Sequence, residues 1–190
     1  MARSGTLHQL SAFCTLHITT REVYFMQWLC ELRHYPFLNL FFLGATRLGD
    51  GPLWYAVGAG FLAFGTPDTR RAVAAAAIAI ALSVTLFKAI KKVAGRPRPF
   101  EAWLDLPCLL APPDRFSFPS GHTMTAFAAA TVFALLIPGT GIWLLPAGAI
   151  IGFSRVYLGC HYPTDVIVGA LLGSGIGAAV VWGAGHPLLS

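Results

Sequence analysis

Charge is what this sequence has least of. Only 11% of its 190 residues are Asp, Glu, Lys or Arg, whereas 56% are hydrophobic and the mean hydropathy is +0.66. An average soluble domain carries about 25% charged residues, so too few are present here to coat a water-soluble globule. The apolar content equally excludes a disordered chain, which lacks the surface to offset ordering entropy. Cysteine patterning is missing too. The four Cys, at 14, 30, 108 and 160, form no CxxC pair and no zinc-type spacing. They imply no disulfide framework, and the redox compartment is not legible from them. Residues 1–20 do not read as a signal peptide, because His8, Gln9 and His17 interrupt any apolar run. What is left is a one-domain chain of integral membrane type.

Stretches free of charge locate the spans, since a charge in hydrocarbon is costly. Ala72 to Phe87 is one, and it is Ala-rich. Phe116 to Ser154 is another, cut in two by Pro138-Gly139-Thr140-Gly141. Val166 to the C-terminus and the shorter Gly51 to Pro67 complete the set. Five spans are expected, near 51–66, 71–90, 121–138, 141–158 and 164–183. Residues 21–49 mix Trp28, Phe37, Phe41 and Phe42 with Glu31, Arg33 and Arg47. An interfacial amphipathic helix is the cheaper reading there. Runs this long and uniform exclude the alternating strands of a membrane barrel. The expected fold is all-α, a polytopic membrane bundle of five to six helices with one active-site face. The expected division is an N-terminal segment (1–49), the membrane domain (50–183) and a tail (184–190).

Hairpin connectivity then brings residues 91–120 and 155–163 to one face. Five of the basic residues, Lys88, Lys91, Lys92, Arg96 and Arg98, fall in one short segment. A single basic focus beside apolar helices suits a compact anion, not a nucleic-acid track, which needs basic residues along a soluble face. Pro97 and Pro99 stiffen this segment and fix the angles of Arg96 and Arg98. Arginine's planar fork of donors suits phosphate oxygens, although a basic loop at a helix end is also an ordinary topogenic signal. Next comes Phe118-Pro119-Ser120-Gly121-His122-Thr123. Ser120 reads as an N-cap, Gly121 leaves the backbone open to a ligand, and the helix N-terminus favours an anion. His122 then sits where a proton is given or taken. In the third segment Asp165 lies four residues past His161, across a turn ended by Pro163. Its carboxylate is placed to accept the imidazole N–H and leave the other nitrogen as nucleophile. Capped helices and a structural His–Asp pair are the plainer readings of the last two segments.

Taken together, the segments resemble the type 2 phosphatidic acid phosphatase family, which is related to vanadium haloperoxidases. Its signature, K-x6-R-P, then P-S-G-H, then S-R-x5-H-x3-D, reads here as Lys91 to Arg98-Pro99, Pro119-Ser120-Gly121-His122, and Ser154-Arg155 to His161 and Asp165. Arg96 does not fit the first element, because position 89 is Ala. The N-terminal region departs from the family in lacking a clean first span. The resemblance implies phosphate-ester or phosphoanhydride hydrolysis through a phosphohistidine, with no metal and no cofactor. It implies His161 as nucleophile, Asp165 as its orienting partner and His122 as the acid and base. Lys91, Arg98, Ser120, Gly121 and Arg155 are implied to hold the phosphoryl oxygens.

The implied partner is a lipid phosphate or diphosphate, undecaprenyl diphosphate by analogy with small bacterial members, with phosphatidylglycerol phosphate and phosphatidic acid as competitors. Membrane lipids are the other partners. No nucleic-acid partner is expected, and the oligomeric state is left open. A non-enzymatic lipid-phosphate binding or transport protein also explains the helices and basic loop, but not the spacing of the two histidines and Asp165. A haloperoxidase fits this composition poorly. With the site residues set aside, Arg70 and Arg71 make the opposite face cytoplasmic, whereas counting them reverses the answer; the resemblance implies a site that faces outward. The expected location is a bacterial inner membrane, with the site facing outward.

Overall fold

The computed structural model describes residues 19–183. They form helices joined by loops, with no strand among them. Helix α1 covers residues 19–31 and ends in a short 3-10 turn, Leu32–His34. Then follow α2 (Pro36–Gly49), α3 (Pro52–Phe64), α4 (Pro67–Ala94), the one-turn α5 (Pro99–Ala102), α6 (Gly121–Leu136), α7 (Gly141–Tyr157) and α8 (Pro163–Gly183). Five of these begin on proline, whose fixed φ suits the first turn and whose missing N–H is not needed there. At its other end α4 closes on Gly95, which takes a left-handed φ of +58° and donates its N–H to Lys91 O.

The all-helical expectation holds, and the five anticipated spans fall on α3, α4, α6, α7 and α8. Their lengths differ from the reading. Two segments are long and apolar enough to cross a membrane alone, Pro67–Ala102, which contains α4, and Pro163–Gly183. Helices α3, α6 and α7 have 13, 16 and 17 residues, short of the usual requirement of about 20. The region 21–49 is not one interfacial helix. It breaks at Leu32–Tyr35, where the next helix starts on Pro36, so it contributes two helices and the total exceeds six. The tail 184–190 and residues 1–18 lie outside the described residues.

Helix α6 is the centre of the bundle, with α4, α7 and α8 packed around it. Its buried face is rich in alanine: Ala126, Ala128, Ala129 and Ala130 have no exposed surface. Ala72, Ala76 and Ala79 face it from α4. Contact with α8 is closer still. Gly169, Gly173 and Gly177 lie against the α6 backbone, and a Cβ on Gly173 would fall 2.2 Å from Met124 O. Stripes of small residues let membrane helices approach until their backbones touch. The outward faces carry bare apolar side chains, among them Phe37, Leu40, Phe64, Trp143, Leu171 and Trp182, the surface a bilayer covers.

This packing sets α6, α7 and α8 so that the start of α6, the end of α7 and the start of α8 meet at one end of the bundle. The end of α4 and the loop after it fold over the same end. Helix α1 lies against this layer, burying Val23, Met26 and Leu29 on Leu106, Val156 and Tyr162.

Candidate active site

A cavity of about 190 Å³ opens at this end. Lys91 enters it from the last turn of α4, Arg98 from the loop beyond, Gly121 and His122 from the start of α6, Arg155 from the end of α7 and His161 from the turn between α7 and α8. Six of the eight residues singled out from the sequence therefore meet in one place.

The other two lie behind it. Asp165 is fully buried, and its Oδ2 is 3.5 Å from His161 Nδ1, just beyond hydrogen-bond length. That carboxylate oxygen accepts from Tyr162 N at 2.9 Å. Because Nδ1 faces Asp165, Nε2 is the atom His161 presents to the cavity, 3.4 Å from Arg98 Nη1. Ser120 departs from the expectation. It occupies the N-cap position without capping: its hydroxyl accepts from Thr123 Oγ1, and its own N–H donates to Asp165 O. It is fully buried and not part of the cavity wall, and its N–H is spent on the scaffold. Gly121 is on the wall, its Cα packed against the Phe87 ring, where a Cβ would come within 3.0 Å. The first-turn amides of α6, uncapped by any side chain, start at the cavity.

Three cations line this small space, and each is held differently. Lys91 Nζ donates to both oxygens of Asp114 and to Phe116 O. Arg98 Nη2 donates to Asp114 Oδ1 at 2.6 Å, its Nε to Asp114 O and its Nη1 to Cys160 O. Arg155, 1% exposed, donates Nη1 to Thr46 Oγ1 at 2.6 Å, and its Nε has no partner. A buried guanidinium with an unspent donor on a cavity wall is a seat for an anion. Burial raises the Asp114 carboxyl, but the hydrogen bonds and charges of Lys91 and Arg98 outweigh it and leave it below the usual range. Burial, then the charges of Arg98, Arg155 and Lys91, holds His161 well below the ordinary imidazole value. His161 is thus neutral at physiological pH, as a nucleophile must be.

Sequence reasoning missed the parts played by Asp50, Asp114, Arg96 and Glu22. Asp50, at the break between α2 and α3, accepts the His122 Nε2 proton. Asp114 bridges Lys91 and Arg98. Arg96, adjacent in sequence to the site arginine, turns away from the cavity. Its Nη1 donates to Asp165 Oδ1 and Thr164 Oγ1, its Nη2 to Glu22 Oε2, all at 2.8 Å, and its guanidinium stacks 3.9 Å over the Tyr162 ring. Glu22 on α1 also accepts from Thr164 N. Arg96 and Glu22 therefore fix Asp165, and through it the nucleophile's turn. Among the described residues no three His, Cys, Asp or Glu side chains are grouped to hold a metal ion.

The arrangement can bind a phosphoryl group, attack it with a neutral imidazole and supply a proton from the other histidine. The chain is similar to known proteins. Undecaprenyl-diphosphatase of Sulfolobus acidocaldarius is 33% identical over 142 residues, which are 73% of this chain and 67% of that protein. The bacitracin transport permease protein BcrC of Bacillus licheniformis is 35% identical over 118 residues, 62% of this chain and 58% of that protein. Among solved structures, the transmembrane PAP2 type phosphatidylglycerolphosphate phosphatase of Bacillus subtilis superposes with a TM-score of 0.73 at 27% identity, covering 95% of this chain and 92% of that one. LpxE of Aquifex aeolicus gives 0.67 at 32%, covering 78% and 87%. The sequence profile described as PAP2 superfamily matches residues 72–186, a stretch that contains all eight expected site residues. On that match and these relatives, the chain belongs to the PAP2 superfamily and is a membrane phosphatase of lipid phosphates.

Proposed function

We propose that the protein hydrolyses a polyprenyl diphosphate, with undecaprenyl diphosphate as the leading substrate, through a phosphohistidine on His161. The observation that carries the chemistry is the position of His161 Nε2. It faces a cavity ringed by Lys91, Arg98 and Arg155, while Nδ1 faces the buried Asp165. Nε2 attacks phosphorus as the bond to the leaving oxygen breaks. That oxygen takes the Nε2 proton of His122, which the negative charges of Asp50 and of the bound phosphoryl group hold as the imidazolium. His122, now a base, takes a proton from water, whose oxygen attacks the phosphohistidine. Phosphate leaves and both imidazoles are restored. Throughout, the negative charge of the phosphoryl oxygens is met by fixed cations and the α6 amides. Asp165 holds the His161 ring and stabilises the charge it gains.

The choice of a polyprenyl diphosphate rests on the Sulfolobus relative. A second reading, phosphatidylglycerol phosphate, is favoured by the Bacillus subtilis structure, which matches nearly the whole chain. The location proposed is a bacterial inner membrane; exposed Arg70 and Arg71 at the opposite end of α4, with the site cations set aside, favour the site facing outward. Purified protein in detergent, assayed for phosphate release on undecaprenyl diphosphate, phosphatidylglycerol phosphate and phosphatidic acid, tests this. Undecaprenyl diphosphate is expected to give the highest kcat/KM, unchanged by excess EDTA. A higher kcat/KM for either glycerolipid overturns the substrate assignment. Loss in EDTA that Mg²⁺ restores overturns the metal-free mechanism.

A further inference from the structure

Two cysteines far apart in sequence touch beside the nucleophile. Cys108 Sγ lies 3.2 Å from Cys160 Sγ, a contact across 52 positions of chain. Cys160 directly precedes His161, and its carbonyl accepts from Arg98 Nη1 at 2.7 Å. Both thiols point at one acceptor, Leu110 O, at 2.9 Å from Cys108 and 3.5 Å from Cys160.

The backbones around the pair are already joined. Leu109 N donates to Leu158 O at 3.0 Å. Arg33 clamps the same two strands of chain, donating Nη1 to Pro107 O at 2.7 Å and Nε to Tyr157 O at 2.9 Å. Between them sits Gly159 at φ +80°, where a Cβ would fall 2.7 Å from Pro107 O and 3.4 Å from Cys108 Cα. Glycine is required there for the two segments to approach this closely. The two sulfurs need to close by only about 1 Å to reach bonding distance.

We infer that Cys108 and Cys160 are a disulfide-forming pair, a covalent link between the loop after α5 and the turn that carries His161. The two thiols differ in the way such chemistry needs. Cys160 is fully buried, whereas Cys108 is partly exposed. The hydrogen bond from Cys160 lowers the Cys108 thiol to about 6 against the opposing effect of burial, and the same contact together with burial pushes Cys160 up. Cys108 is therefore the attacking thiolate and Cys160 the resolving thiol. The oxidant is a small-molecule disulfide. Cys108 sulfur bonds to one of its sulfurs and expels the other as a thiol. Cys160 sulfur then attacks Cys108 sulfur, loses its proton and expels the second thiol. Two protein thiols are oxidised by two electrons and the small disulfide is reduced to two thiols.

The test uses the full chain in detergent, reduced and then exposed to glutathione disulfide. Peptide mapping after alkylation, and thermal unfolding, are the readouts. Neither depends on turnover, so failure here is separate from failure of the proposed substrate. The expected result is a Cys108–Cys160 cross-link and an unfolding midpoint raised by about 5 °C, both reversed by dithiothreitol. Cys108→Ser is expected to show neither, and Cys160→Ala to stop at a glutathione adduct on Cys108. In wild type, a lasting glutathione adduct on Cys108 with Cys160 still alkylatable overturns the inference. So does cross-linking to Cys14 or Cys30 instead.

Discussion

Replacing Arg96 by Met keeps an apolar stem over Tyr162 and removes the guanidinium that joins two buried carboxylates. Asp165 has no exposed side-chain surface and Glu22 only 7%, while Arg96 itself is 22% exposed. Removing one partner of a buried ion pair costs about 3–5 kcal/mol, because the other charge is left unmatched. Here each carboxylate retains a backbone N–H, that of Tyr162 for Asp165 and of Thr164 for Glu22. The low end, about 3 kcal/mol, is therefore expected. The penalty shrinks in acid, where the stranded carboxylates take protons. Activity falls as well, since Asp165 Oδ1 loses the donor that fixes the carboxylate facing His161. A small misplacement of this kind costs roughly 10- to 100-fold in kcat, with KM little changed. Adding Glu22→Gln to the Arg96→Met protein removes one of the two stranded charges, so the double variant is more stable than the sum of the single losses. The assay is thermal unfolding together with phosphate release for both single variants and the double. Strictly additive losses, or an Arg96→Met protein with wild-type kcat, refute the reasoning.

Two further outcomes follow from the charges around the cavity. Below about pH 6.5 the unfolded chain protonates His161, whereas the folded site, through burial and three nearby cations, refuses that proton. Stability from neutral His161 is thus present above that pH and is lost as the pH falls toward the folded value. The acid limb of kcat/KM belongs below pH 6.5, and a limb at or above that value in the wild type contradicts the assignment. Asp114→Asn keeps an acceptor for Lys91 but removes a negative charge that competes with phosphate for Lys91 and Arg98. Discounted for its 39% exposure, the gain is about 1 kcal/mol, so inorganic phosphate is expected to inhibit about fivefold more tightly. Unchanged or weaker inhibition counts against Asp114 as a competing anion.

What the sequence revealed is local, and what it hid is distant. Lys91, Arg98, Gly121, His122, Arg155 and His161 were found because each belongs to a short pattern at a helix end, and charge-free runs then bring those ends together. Asp50 and Glu22 belong to no pattern. Asp50 meets His122 across 72 positions, and Glu22 meets Arg96 across 74. Thr46 reaches Arg155 across 109. Arg96 was in view, yet nothing in its neighbourhood says that it turns to Asp165 while Arg98, two residues on, turns to the cavity. Ser120 takes the N-cap position that its residue type suggests, but its hydroxyl does not cap the helix and accepts from Thr123 instead. Helices were legible from apolar runs, but their lengths were not. The break at Leu32–Tyr35 and the shortness of α3 follow from prolines and packing, not from hydropathy.

The claim that matters most is that His161 becomes covalently phosphorylated. Substrate carrying a radioactive terminal phosphate, quenched during turnover, is expected to leave acid-labile, base-stable label on the wild-type protein, mapping to His161. His161→Ala should carry none and release no phosphate. His122→Ala should accumulate label on an activated aryl phosphate, because attack proceeds while hydrolysis of the phosphoenzyme stalls. Label on any other residue, or full turnover by His161→Ala, contradicts the mechanism.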